Sequence, residues 1–361
     1  MTLERMRRRP RQPRWTLSLS LFAAAALAQG NLAVGQYAGD GAVTRSITGL
    51  GFAPSFVIVK AATAVDGMGR TDTMPAGMSK ILHAGNPVVP GCITSLDVDG
   101  FSVGGDARTN GAGVTYYWEA WPSLSGVLRT GTYQGDGQTN REVTGLGFQP
   151  DFALILPRGG ESPNWRTSAM PDGSGAYLNS QGLVPQRVLR FTPDGFVMGN
   201  NSDVNFAGVV YDYFAAACTG HVCAVGSFVG SGVGFTVSGL GLVPAFVLVK
   251  ADGAVAVQRS SAIPSSTDLT LSFGDDGAGP NLIQRLTPDG FQLGAGPSVN
   301  TPGAQSWWLA FASQATAPAD GGRGPLRLNV GCACSASRSD GGLGALLVMA
   351  LVVFARGRGR R

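Results

Sequence analysis

The stretch "GLGFAPSFVIVKA" at 49–61 opens on a glycine-rich turn and runs into six apolar or nearly apolar residues, and the chain writes it three times. The other copies are "GLGFQPDFALILP" at 145–157 and "GLGLVPAFVLVKA" at 239–251. Apolar runs this short, bounded by Gly and Pro, predict buried strands rather than helices. Around them the rest of the repeat falls into place. "GQYAGDG" at 35, "GTYQGDG" at 131 and "GSFVGSG" at 226 open the copies. Each copy later carries an Asp-Gly-Phe, at Asp99, Asp194 and Asp289, and an Asn, at Asn110, Asn205 and Asn300. "TYYWEAW", "VYDYFAAA" and "SWWLAFA" close them, with Trp118, Tyr213 and Trp308 in one column and Ala120, Ala215 and Ala310 two residues on, on the same strand face.

A period near 95 residues exceeds the ~20 to 50 of solenoid and propeller units, so each copy is expected to be a small domain. The 54 glycines and 21 prolines among 361 residues, with 44% apolar residues, point to short strands and tight turns. The predicted fold is all-β: three tandem β-sandwich repeats, jelly-roll-like, at 35–122, 131–217 and 226–314, followed by a linker at 315–331. The short connectors "PSLSGVLRT" and "CTGHVC" suggest three beads in a row. "RFTPDGF" at 190–196 and "RLTPDGF" at 285–291 read as hairpin turns, Pro fixing φ and Gly accepting a positive one, rather than as a reused active-site loop.

The net charge of +4 sits at the two ends. Without residues 1–28 and 335–361, 16 basic residues face 21 acidic ones, which removes the case for nucleic-acid binding. Residues 1–28, basic then apolar and ending in Ala26 and Ala28, have the pattern of a cleaved signal peptide. At the other end "GCACSASRSDGGLGALLVMALVVFARGRGRR" joins a Cys motif, a short hydrophobic helix of thirteen residues (343–355) and a basic tail. That run is below the ~20 needed to cross a bilayer. Residues 332–361 resemble the myxobacterial C-terminal sorting signal MYXO-CTERM. The resemblance implies a dedicated sorting protease acting at Cys332 or Cys334, and a protein left at the surface of a Gram-negative cell, touching the membrane only through this segment or a lipid. Residues 35–313 resemble repeats of phage tail-fibre-like and virion surface proteins, which implies display or adhesion and transfers no catalytic residue.

Catalysis finds little support. His83 and His221 are the only histidines, and no G-x-S-x-G elbow accompanies them. Asp40 and Asp136 recur, but the third copy has Ser231, so a glycoside hydrolase would need its carboxylate pair in one copy. No cofactor is expected; were a metal held, "GDG" and Asp275–Asp276 would suit Ca2+. Two columns suit recognition of a glycan or cell-envelope polymer. Arg70, Arg166 and Arg259, in "RTDTMP", "RTSAMP" and "RSSAIP", offer forked donors for a carboxylate, or else clamp a loop. Tyr117 and Trp307, opposite the Trp118 face, could stack on sugar rings. Cys218 and Cys223 are expected to form a disulfide, with Cys92 left as a buried thiol. These readings predict an exported display, adhesion or glycan-binding array. A surface glycoside hydrolase and a ligandless structural spacer are the alternatives.

Overall fold

The computed structural model describes residues 31–312, which are all-β and build three similar sheet pairs. In the first copy the strands are β1 (Ala33–Ala38), β2 (Thr44–Thr48), β3 (Phe56–Ala61), β4 (Met68–Thr71), β5 (Met78–Ile81), β6 (Val89–Pro90), β7 (Ile93–Asp97), β8 (Gly100–Gly104) and β9 (Thr115–Trp121), with a one-turn helix α1 (Ala107–Asn110) before β9. One antiparallel sheet runs β1-β9-β3-β4-β5-β6, and β2-β8-β7 form a second. The same order recurs from Leu128–Gln134 to Val210–Ala216 and from Cys223–Val229 to Gln305–Ala312. Among the described residues no helix is long and apolar enough to cross a membrane. The expected signal peptide, linker and C-terminal sorting segment lie outside the described residues.

The repeated columns have physical reasons. Gly35, Gly131 and Gly226 sit opposite Trp118, Tyr213 and Trp308 in register. A Cβ on any of them would stand 2.3 Å from the aromatic side chain, so the aromatic on one strand requires glycine on its neighbour. The Phe of each Asp-Gly-Phe is fully buried and meets the same ring edge-on, at 5.5 Å for Phe101–Trp118, 5.3 Å for Phe196–Tyr213 and 5.6 Å for Phe291–Trp308. In "RFTPDGF", Thr192 pairs with Gly195 across a two-residue turn, as a hairpin should. The turn glycine has a reason beyond φ: a Cβ at Gly195 would lie 1.9 Å from the Val143 carbonyl, and Gly100 and Gly290 are equally crowded. The turn aspartates then staple the glycine-rich loop. Asp194 accepts from Gly145 N and Gly147 N at 2.9 and 2.6 Å, and Asp99 and Asp289 do the same in their copies.

The strand Phe152–Pro157 is buried at all six positions, and the alternation explains how. Ala153 and Ile155 point to the small sheet of their own copy, while Phe152, Leu154 and Leu156 join a cluster shared by all three copies. That shared core holds Phe56, Trp121, Phe214, Phe246 and Phe311 as well. The three sandwiches are therefore not beads in a row. Val88 N donates to Arg158 O (3.1 Å), Ala256 N to Leu178 O (2.9 Å) and Gly67 N to Phe273 O (3.1 Å), so the first copy meets the second, the second the third, and the third the first. Each joint uses one surface of one copy against a different surface of the next, and three such steps close a ring. The short connectors permitted a row, but the second apolar face of each large sheet needed a cover, which the neighbouring copies provide.

Candidate functional site

The arginine column proves to be internal. Arg70, Arg166 and Arg259 are 6%, 2% and 1% exposed, which corrects the expectation of a ligand-facing fork. Arg166 Nη1 donates to Pro171 O (2.6 Å) and Ser174 O (2.9 Å), and its Nη2 to Met170 O (3.4 Å) and Asp172 Oδ1 (2.6 Å). Arg70 makes the corresponding bonds to Pro75 O (2.9 Å), Met78 O and Met74 O (3.5 Å). Arg259 serves Pro264 O and Thr267 O, both at 2.9 Å, and Leu269 O. The loop after each of these strands turns its carbonyls inward, and one planar guanidinium satisfies several of them. Burial lowers all three arginine pKa values without removing the charge.

Tyr117 and Trp307 are corrected in the same sense. They are 6% and 3% exposed, because the face opposite Trp118 is the face that meets the neighbouring copy. Tyr117 packs on Ile263 and Leu271 of the third copy, and Trp307 lies beside Met170 and Pro171 of the second.

The recurring acids hold loops. Asn205 accepts from Asp136 N (2.9 Å) and donates to Asp136 Oδ1 (3.0 Å) and Gln138 O (2.7 Å), while Asp136 Oδ1 accepts from Gln138 N (2.8 Å). Asn110 and Asp40 repeat the pattern. In the third copy Ser231 Oγ accepts from Val233 N at 3.2 Å, so a hydroxyl fills the turn role of the carboxylate, and Ser for Asp is explained. Hydrogen bonds from the backbone at Gln138 and from Arg141 bring the Asp136 carboxyl down to about 2, and the Ala42 backbone and Asn110 lower Asp40. Groups held as carboxylates in this way are poorly suited to general-acid work.

His83 Nδ1 stands 2.8 Å from Asp66 Oδ1, and that partner raises its pKa against the opposing effect of burial. His221 lies in the connector with φ of 62°. Among the described residues no group of three or more His, Cys, Asp or Glu is placed to hold a metal, Asp275 and Asp276 included. Cys218 and Cys223 are joined by a disulfide, and Cys92 is a buried thiol. Cys332 and Cys334 lie outside the described residues.

Polar groups do converge on open space at the joints. Between the first and second copies a cleft of about 490 Å³ is lined by Asp72, Thr73, Ser123, Ser125, Arg129 and Thr130, with Phe148 at its wall. Thr130 Oγ1 donates to Asp72 Oδ1 at 2.7 Å across the joint. Arg129 is exposed and donates only to Leu146 O, at 3.4 Å, with no carboxylate in ion-pair reach among the described residues. Beneath the cleft, Arg158 pairs with the fully buried Asp212 (2.8 Å) and reaches Thr73 O of the first copy (2.7 Å), which fixes the cleft wall. A smaller cleft of about 330 Å³ lies between the second and third copies, with Ser227, Gln305 and Trp307. Asp72 and Arg129 stand in "RTDTMP" and "PSLSGVLRT", where neither residue recurs from copy to copy. The signal was their position at a copy boundary, which matters only once the ring is closed. No protein-family pattern matches the chain, and no curated protein is similar to it.

Proposed function

We propose that the chain is an exported, surface-anchored, non-catalytic protein whose three tandem sandwiches serve display or adhesion, with the polar cleft between the first and second copies as its glycan-binding site. One observation carries the site: an unpaired guanidinium, a carboxylate and several hydroxyls line a cleft of about 490 Å³, whereas the repeated Asp, Asn and Arg columns are engaged in holding loops. Such a mixture of donors and acceptors beside an aromatic wall suits the hydroxyls of a sugar. Export and anchoring rest on the basic and apolar N-terminus and on the Cys-containing C-terminal signal, and the Cys218–Cys223 disulfide supports an oxidising compartment.

The test is binding of the full chain to an array of glycans and cell-envelope polymers, beside Arg129→Ala and Asp72→Asn. A bound glycan whose affinity falls at least about tenfold in Arg129→Ala supports the cleft. Silence across the array leaves a display or spacer role and removes glycan binding.

A further inference from the structure

Where the third copy meets the first, a column that is apolar at the other two joints carries a carboxyl group. Glu119 on β9 is fully buried and sits in register with Val34 and Ile58. The residues at the equivalent position are Phe214, in register with Thr130 and Leu154, and Leu309, in register with Val225 and Leu248. Both belong to the shared apolar core. Facing Glu119 from the strand Val257–Ser260 are Gln258 and Ser260, also buried, where the second copy has Trp165 and Thr167. Neither carboxyl oxygen of Glu119 has a hydrogen-bond partner, nor do the side-chain amide of Gln258 and the hydroxyl of Ser260. They stand close enough to favour the charged form of Glu119, yet no hydrogen bond is formed between them.

We propose that Glu119 is a proton-operated latch: when it is neutral the joint between the third and first copies closes, and when it is charged that joint opens while the other two stay shut. An unpaired charge in this setting is costly, whereas a neutral carboxyl can share a proton with Gln258 or Ser260. The joint is also the one that no connector spans. Residues 122–127 and 217–222 link the other copies, so opening here stretches no connector.

Burial pushes the Glu119 carboxyl up to about 8, with Ser260 and Gln258 pulling the other way. With the joint open it titrates near its ordinary 4.5. The closing contribution is therefore whole below 4.5 and is lost as pH rises towards about 8. The other titratable groups here are Lys60, Asp66, His83 and Tyr117 of the first copy and Arg259, Asp275 and Asp276 of the third. Among the described residues none forms an ion pair with Glu119. His83 is raised mainly by Asp66 of its own copy, a contact that opening the joint leaves in place. Lys60, lowered to about 8 by burial, acts oppositely but only above that pH.

Hydrogen exchange of the full chain between about pH 5 and 8, corrected for intrinsic rates, reads the joints separately. Gly67 N reports the joint between third and first copies, Val88 N that between first and second, and Leu183 N, bonded to Asp252, that between second and third. The expected result is a fall in Gly67 protection of at least about tenfold relative to Val88 and Leu183, abolished in Glu119→Gln. Glu119→Leu, which copies Leu309, should abolish it too and serves if the amide variant folds poorly. A wild-type fall shared by all three joints, no fall at all, or a fall that survives in these variants overturns the latch.

Discussion

The guanidiniums of Arg70, Arg166 and Arg259 lie under loops whose carbonyls point at them, so cutting one back to alanine strands two or three acceptors at once. Arg166→Ala should lower stability by about 2–4 kcal/mol in urea unfolding, since each buried acceptor left unpaired is costly. The exposed Arg129 of the cleft should cost less than about 0.5 kcal/mol when changed likewise. This contrast separates a clamp from a surface residue by stability alone. It also shows what the sequence could express at this scale. The recurrence of Arg before Met-Pro or Ile-Pro marked a constrained position, but recurrence carries no depth, and a clamp and a ligand fork look the same in a string. Gly131 recurs too, and only the register that sets it opposite Tyr213 gives the reason.

In the loops the carboxylates set a sensitivity to acid. Asp136, Asp40 and Asp194 titrate lower in the folded chain than at their ordinary 3.8, Asp136 at about 2. The stability they lend is whole above the ordinary value and is lost as pH falls through the folded one. Thermal unfolding at about pH 5 and about pH 2.5 should show a smaller acid-induced drop in Asp136→Asn than in the wild type. An equal drop would mean that the Asn205 loop does not depend on that charge. Hairpins and buried strands were the most legible elements: Thr-Pro-Asp-Gly-Phe specifies its turn locally, and "FALILP" announces burial on both faces. What the second face packs against could not be read, because Phe152 and Leu154 find their partners in copies about a hundred residues away in either direction.

For the whole molecule, the shared core implies that the copies are not independent. A single copy, such as residues 123–222, would expose Phe152, Leu154, Trp165, Leu178 and Phe214 together. Apolar patches of that kind drive association, so the fragment should sediment as an oligomer or aggregate. A well-folded monomer would show that each sandwich is self-sufficient. The period and the number of copies were plain from the sequence, whereas closure was not, since a short connector is compatible with a row as well as with a ring.

The closed ring resembles a symmetric trimer with its three chains joined end to end. In a true homotrimer any substitution appears at all three joints, so a residue such as Glu119 could not be introduced at one without burdening the others. A single gene encoding all three copies is released from that constraint. The chain has used the freedom visibly: Cys92, Arg187 and Leu282 occupy one column, and the Arg45 and Arg141 that stack over tyrosines give way to Phe235 against Phe228 in the third copy. The fusion thus lets one scaffold hold three different joints and three different rims, each open to selection by itself.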